Sequence, residues 1–408
     1  MTRVSTAQSF DTTVNRLVKR QSELSDSQER LTSGKRVIRA SDDPAAAARA
    51  ERALASISHI EATQRGVQAS QSVMLQTESA LGAAGDLMQR AREIVVSAGN
   101  ASYSDAERQA MGRELATIRE DLMQVANRSD GANGFLFGGQ GSLQPPFVQG
   151  AGGMQYAGDG GKLQVGSELM PLSFDGESAW MTAPTGNGIF ETQVTTSTGS
   201  AVIDAGRIVD ASAYYAQPPS TYDITFNVAA GTPTTYVVTR TPLPPAAPVP
   251  VAGAPQAYTS GHAIQVDGMS INVTGAPANG DQFGVVPSTQ SLSVFDAVDK
   301  AIAELATTNR SSTQIAQRNA QNLANFDSVM SRLQLTRSDA GNALNLIDGT
   351  SNRLDDQKLQ GVAERSDAED LDMVSAISDF QNKQTGYDAA LKSYAMVQKM
   401  SLFQYLSS

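Results

Sequence analysis

Apolar residues recur at helical spacing along both ends of this chain and at strand spacing along its middle. Near the start, Phe10, Val14, Leu17, Gln21, Leu24, Gln28 and Leu31 follow a 4-3 rhythm. That rhythm keeps one stripe of a helix facing a partner helix, and the two glutamines weaken the seam while helping to fix its register. After Pro44 the pattern resumes at Ile60, Val67, Met74, Leu81, Met88 and Val95, seven residues apart each time. Three residues after each of these stands a small side chain: Thr63, Ser70, Thr77, Ala84, Ala91 and Ala98. Large then small along one face predicts close packing between helices. A helix from Pro44 to Ala98 would be roughly 80 Å long at ~1.5 Å per residue, with Gly66, Gly82 and Gly85 as its weak points. A third run, Met111, Leu115, Ile118, Leu122 and Val125, stops at the glycines of "NRSDGANGFLFGGQG" (127–141).

The C-terminal end mirrors this. Phe295, Val298, Ile302 and Leu305 form a short stripe. Leu323, Phe326, Met330, Leu333, Ala340, Leu344, Ile347 and Leu354 form a longer one, interrupted by Arg337 and Ser351. Gly361 and "RSDAED" (365–370) predict a joint, followed by a last helix carrying Leu371, Val374, Ile377, Phe380, Tyr387, Leu391, Tyr394 and Val397. The chain ends "KMSLFQYLSS", apolar almost to its last residue.

All of the sixteen prolines except Pro44 lie between Pro145 and Pro287. In that middle segment "YDITFNV" (222–228), "TYVVTR" (235–240), "HAIQVDGMSINV" (262–273) and "QFGVV" (282–286) alternate or run β-branched, and "VDGMS" has the form of a hairpin turn. "TPLPPAAPVPVAGAP" (241–255) cannot pair as a central strand and reads as an exposed, extended loop. The pattern therefore predicts an α+β multidomain chain. Both ends form a long antiparallel helical, coiled-coil rod, and a mainly-β domain is inserted between them. Three divisions are expected: 1–40 with 367–408 as a terminal helical domain, 41–141 with 291–366 as a helical-bundle rod, and 142–290 as the β insertion.

The stretch "SGKRVIRASDDPAAAARA" (33–50) poses a question of chemistry. Its Gly-Lys pair is not a P-loop, because Glu29 stands where the first glycine belongs and Arg36 where a Ser or Thr must hold Mg²⁺. Its adjacent Asp42 and Asp43 diverge, with no third carboxylate at loop spacing for a metal. The plain reading is a helix joint. One helix ends near Gly34; Asp43 caps the next, and Pro44 suits its first position because the missing N–H costs nothing there.

Composition narrows the function classes. The 408 residues carry a formal charge of −11, which argues against broad nucleic-acid binding. With no cysteine there is no disulfide framework and no thiolate metal site. The start "MTRVSTAQSFDTTVNRLVKRQ" has no apolar run, so no cleaved secretory signal is expected, and no stretch approaches the ~18 apolar residues of a membrane span. The two histidines, His59 and His262, fall at unremarkable helix and strand positions, and no H-E-x-x-H or G-x-S-x-G occurs. The residues imply neither enzyme nor cofactor, catalytic site nor metal site. Trp180, the only tryptophan, is expected in the core of the β domain, with partner binding as the alternative. Residues 1–40 hold eight Lys/Arg against four Asp/Glu, and residues 367–408 three against six. Helices of opposite charge can pair. The β insertion is acidic, with three Lys/Arg against ten Asp/Glu, which suits a solvent-facing surface.

Four segments resemble a known family. "RVSTAQ" (3–8), "LTSGKRVIRASDDPAAAARA" (31–50), "GFLFGG" (134–139) and the closing "SLFQYL" (401–406) are similar to the flagellin superfamily. The resemblance covers roughly 1–140 and 290–408. Flagellin itself typically has "DDAAG" at the joint, where this chain has Asp43-Pro44-Ala45, and it ends differently. Those departures favour the type that joins hook to filament over the filament-forming type.

The resemblance implies a structural subunit secreted without a cleaved signal by type III export and residing in the extracellular bacterial flagellum. It implies self-assembly into a layer, contact with a neighbouring hook-associated protein and with flagellin, and an export chaperone on the C-terminal helix. No nucleic acid and no membrane insertion are expected. The assembly surface would be Phe10, Val14, Leu17, Leu24, Leu31, Leu391, Tyr394, Val397, Met400, Phe403 and Leu406, and the joint between inner and outer helices Gly34, Asp42, Asp43 and Pro44. The alternatives are a filament-forming flagellin, or a flagellin-like carrier with an enzymatic insertion.

Overall fold

A computed structural model describes the backbone of residues 6–140, 142–161, 164–165, 170–244, 247–251 and 255–406, and their side chains except in 6–10, 164–165 and 397–406. Eight helices occur among the described residues: α1 (Thr6–Ser33), α2 (Pro44–Ala98), α3 (Asp105–Ala126), α4 (Gly176–Trp180), α5 (Ala211–Tyr215), α6 (Val294–Ala306), α7 (Ser312–Glu369) and α8 (Met373–Leu406). Long helices thus occupy both ends, and the strands lie between α3 and α6, an α+β arrangement. The chain forms two compact units, residues 1–65 with 349–408, and residues 66–348.

The seven-residue repeat of α2 is the buried line of that helix. Ile60, Val67, Met74, Leu81, Met88 and Val95 are all buried, as are Ser70, Thr77, Ala84, Ala91 and Ala98. The buried hydroxyls have partners, as burial requires: Ser70 donates to Pro171 O at 2.6 Å and Thr77 to Val73 O at 2.8 Å. On α7 the buried line is Phe326, Leu333, Ala340, Ile347 and Leu354. Where Arg337 and Ser351 interrupt the apolar stripe, the neighbouring Thr336 and Thr350 are the buried residues.

Polar pairs show the direction of these helices. In the second unit, Gln71 reaches Asp348 at 2.9 Å, Glu78 meets Arg337 at 2.7 Å and Arg92 meets Asp327 at 2.7 Å. As α2 advances, α7 retreats, so the two run antiparallel there. In the first unit, Glu61 meets Lys358 at 2.9 Å and Gln64 meets Asp355 at 2.7 Å.

The sequence places a joint at Gly361 and "RSDAED" (365–370), and the structure puts the break at the end of that stretch, not at the glycine. α7 continues through Gly361 to Glu369, and the break comes at Asp370–Asp372. Gly361 is buried, and a β-carbon there would lie 3.0 Å from Ile57 Cγ1. Its glycine admits a close neighbour and does not end the helix.

The second unit has two groups of buried side chains. In the β region the strands Val249–Pro250, Thr235–Pro242, Ser220–Asn227, Gln282–Pro287 and Phe190–Thr196 form one antiparallel sheet in that order, and Gln256–Ala257 also pairs with Thr235–Pro242. A smaller sheet runs Ala263–Val266, Met269–Thr274 and Val202–Ile203. Ile224, Phe226, Met269, Ile271 and Phe283 pack in the core they share. The predicted "VDGMS" hairpin is present: Asp267 (φ 46°) and Gly268 (φ 81°) both take left-handed conformations, as a two-residue type I′ turn needs. The proline-rich stretch differs from expectation. Val249–Pro250 pairs at the sheet's outer edge with both residues exposed, where a proline need not donate to a ladder.

Trp180 does not join that sheet core. It is 1% exposed and stacks on Phe295 of α6, with centroids 5.9 Å apart and planes 15° apart, while Phe137 and Phe147 meet its ring edge-on. The aromatic cluster takes residues from the "GFLFGG" segment, the insertion and α6. A ring of this size binds whichever elements supply the matching aromatic faces.

Candidate functional site

Two joints interrupt the helices of the first unit, and each is built from local chemistry. At the N-terminal joint, Gly34 takes φ +68°, the left-handed conformation that closes a helix, and its N–H bonds Arg30 O at 2.9 Å. Asp42 Oδ2 accepts from the N–H groups of Ile38 and Arg39 at 3.1 and 3.0 Å and folds the turn. Asp43 Oδ1 accepts from Ala46 N–H at 3.0 Å, capping α2, and Pro44 is its first residue. These amides hold both aspartates below the usual carboxylate range, Asp42 through Arg39 first and Asp43 through Ala46 first, with the Arg36 guanidinium also acting on Asp43. The C-terminal joint uses Asp372 as a similar cap, accepting from Val374 N–H at 3.0 Å and Ser375 N–H at 3.3 Å.

The tertiary structure lays the two joints side by side. Lys35 and Asp370 form an antiparallel bridge, Arg36 N–H donates to Glu369 O at 2.7 Å, and Leu371 N–H donates to Gly34 O at 3.0 Å. Arg36 spans the gap, donating to Ala368 O at 2.8 Å and to Asp43 Oδ2 at 3.3 Å. Glu369 collects Lys35 at 3.2 Å and Arg365 at 2.7 Å. Burial works against its charge, but hydrogen bonds from Arg365 and Lys35 outweigh it and hold its carboxyl below the usual range. Val37 is buried within this contact. Sequence reasoning names Gly34, Asp42, Asp43 and Pro44 and misses Lys35, Arg36, Arg365 and Glu369. The signal available was the opposite charge of "SGKR" and "RSDAED".

Beyond the joints α1 and α8 pack together. Of the expected surface, Val14, Leu17, Leu24 and Leu31 are half-buried on α1, Tyr394 is half-buried on α8, and Leu391 is 41% exposed. The side chains of Phe10, Val397, Met400, Phe403 and Leu406 lie outside the described residues. The half-covered residues of α8 include Phe380, Tyr387 and Tyr394, seven apart, and those of α1 include Leu17, Leu24 and Leu31 at the same interval. Val374 and Ile377, which the sequence places on the covered stripe, are exposed instead, at 78% and 46%. A seven-residue line follows a partner helix; residues off that line stay outside. Among the described side chains of α1 and α8, only Ser27 is fully buried.

Among the described residues no three His, Cys, Asp or Glu side chains gather as metal ligands, and no helix is long and apolar enough to cross a membrane. The geometry therefore offers two stitched joints and a helix pair whose apolar faces are incompletely covered.

Residues 4–142 match the bacterial flagellin N-terminal helical region. The chain is thus flagellin-like over the part that holds α1, the first joint, α2 and α3. Within that class its likeness is to flagellar hook-associated protein 3. It is 33% identical to that protein of Salmonella typhimurium over 159 residues, 37% of this chain and 48% of the relative. This chain spans about half the length of the curated relatives it matches. The crystal structure of flagellar hook-associated protein 3 from Legionella pneumophila superposes with a TM-score of 0.70 at 28% identity, covering 77% of this chain and 97% of that one. Xanthomonas campestris FlgL superposes with a TM-score of 0.66 at 26% identity, covering 78% and 99%.

Proposed function

We propose that this chain is a structural subunit of the bacterial flagellum that joins hook to filament, and that it is not an enzyme. The observation that supports this most directly is the terminal helix pair. α1 and α8 carry apolar lines that they cover only in part, and the double joint ties their bases together. Such a pair is completed by burial against neighbouring subunits, since apolar surface removed from water contributes about 25 cal/mol per Å². The likeness to hook-associated protein 3 supports the same reading.

In this proposal residues 1–40 with 367–408 form the inner assembly domain, 41–141 with 291–366 the helical layer outside it, and 142–290 the outward β domain. The stripe Phe10, Val14, Leu17, Leu24 and Leu31, with Leu391, Tyr394, Val397, Met400, Phe403 and Leu406, is the assembly surface. Gly34, Asp42, Asp43 and Pro44 form the joint between layers. The chain leaves the cell by type III export, with a chaperone on the C-terminal helix, and assembles into a layer between another hook-associated protein and flagellin. The test is complementation of a strain lacking its own hook-associated protein 3. Swimming with attached filaments is the expected result. Filament protein shed into the medium despite normal export of this chain would refute the assignment. Rescue of a flagellin-deletion strain would assign it to the filament instead.

A further inference from the structure

The second unit holds a cavity that the assembly reading leaves without a role. It measures about 170 Å³ and lies between the first turns of α7 and the turns at Gly186 and Asp204–Ala205. Its walls are built closely. Gly186 sits at φ +62°, where a β-carbon would come 2.2 Å from Phe190 O and 2.5 Å from Glu191 Cα, so only glycine lets this turn close over Glu191. Asn187 Nδ2 ties the first turn to the second, donating to Gly206 O at 3.2 Å. From α7, Gln317 accepts from Ile203 N–H at 2.7 Å and Gln321 donates to Thr192 O at 3.3 Å, pinning the helix to the strands.

Two polar groups of this lining are left over. Asn325 is only 8% exposed, and among the described residues its amide makes no hydrogen bond. Its amide atoms are not enclosed by protein, so they open into the cavity and are free to bond whatever enters it. The half-buried Glu191 carboxylate has no partner either. Asp204 adds a second carboxylate, held only by neutral donors: Gly206 N–H at 3.0 Å, Asn272 N–H at 2.9 Å and Asn272 Nδ2 at 2.8 Å. No Lys or Arg lines the cavity, and Ile203, Ala320 and Ala324 give it an apolar wall.

We infer that this cavity binds a small organic cation, a primary ammonium or guanidinium group on a short apolar stem. Two carboxylates without a lining cation repel anions and attract N–H donors of positive charge. Glu191 and the Asn325 amide oxygen supply acceptors, and the alanines and Ile203 cover the stem. The lining has no aromatic ring to stack on a sugar. Its volume lies below the ~300 Å³ at which sites for larger small molecules begin, so the ligand is a group of a few heavy atoms.

The test is saturation-transfer NMR of the full chain with n-butylammonium, methylguanidinium and, as a neutral control, methyl glucoside. Both cations should bind, more weakly at high salt, and the glucoside should not. Glu191→Gln should weaken cation binding about tenfold or more, a loss of ~1.4 kcal/mol, and Asn325→Leu should abolish it, with circular dichroism unchanged. If Asn325→Leu fails to fold, Glu191→Gln, at a half-buried position, carries the test. Binding of the glucoside alongside the cations, cation binding unaltered by Glu191→Gln, or no binding of either cation would each overturn the inference.

Discussion

Lys35 Nζ lies 3.2 Å from Glu369 Oε2, so one ion pair clasps two joints that are 334 residues apart in sequence. Arg365 meets the same carboxylate from one turn back on α7, and Arg36 bonds the adjacent main chain. The helices that leave these joints are therefore held by polar contacts at their bases, where Val37 and Ala368 are the buried apolar residues.

Glu369→Gln should loosen this clasp. It removes the charge that Lys35 and Arg365 share while keeping the shape. Charge-assisted hydrogen bonds contribute ~1.5–3 kcal/mol when well shielded, and the Lys35 side chain is 42% exposed, so a cost of about 1 kcal/mol is expected. Amide exchange at residues 34–37 and 369–371 should quicken, while exchange in the strands of the β region stays unchanged. An equal change in both places would mean a global effect instead.

The clasp should also respond to acid. Glu369, Asp42 and Asp43 all titrate below their ordinary values of 4.5, 3.8 and 3.8. A folded-state pKa below the unfolded one gives stability that is present above the unfolded value and lost as pH falls through the folded one. Protection of the joint amides should hold from neutral pH down to 4.5, then fall progressively through 3.8 and below. Protection that peaks in acid would reverse the sign and contradict this account.

Gly361→Val should strain the first unit. Its Cβ would stand 3.0 Å from Ile57 Cγ1, and the added methyls would press further. Overpacking of this kind costs roughly 1–3 kcal/mol. Ile57→Ala should relieve much of it in the double variant, which a thermal-denaturation cycle can measure. Additive effects would show that the two residues do not interact.

The terminal helix pair should open before the aromatic cluster. α1 and α8 have no large apolar side chain fully buried among their described residues, and ordering each residue costs roughly 1–2 kcal/mol of backbone entropy. Trp180 is the only tryptophan and is 1% exposed, so its fluorescence reports the cluster with Phe295. Exchange in α1 and α8 of the free subunit should be near the unprotected rate at denaturant concentrations where Trp180 emission is still native. Coincident transitions would argue for one cooperative unit.

Leu391→Asp and Val374→Asp should spare the subunit and harm its assembly. Both residues are exposed, at 41% and 78%, so the charge stays in water within the monomer. Circular dichroism should be unchanged. If α8 is covered by neighbouring subunits, each substitution buries an unpaired charge in every copy, and filament retention should fail. Normal swimming with Leu391→Asp would remove Leu391 from the assembly surface.

Local periodicity is written in the sequence because it depends only on which residues follow one another. Met74, Leu81 and Met88, seven apart, are a buried line in any helix that packs along its length, and 1% exposure or less bears that out. The turn at Asp267-Gly268 was equally legible, since two left-handed residues in succession need that chemistry. Asp43 and Pro44 mark a helix start by the same kind of local rule.

The tertiary structure decided what those elements meet. Gly361 reads as a helix breaker until Ile57 is found against it, and Trp180 reads as a β-core residue until Phe295 supplies the stacking face. Val374 belongs to the apolar spacing of α8 but lies exposed. Lys35 and Glu369 carry no mark of each other in their own neighbourhoods. Their pairing follows from the packing of the first unit, where the two ends of the chain meet, and the order of residues along a helix does not specify which residue of a distant segment will lie beside it.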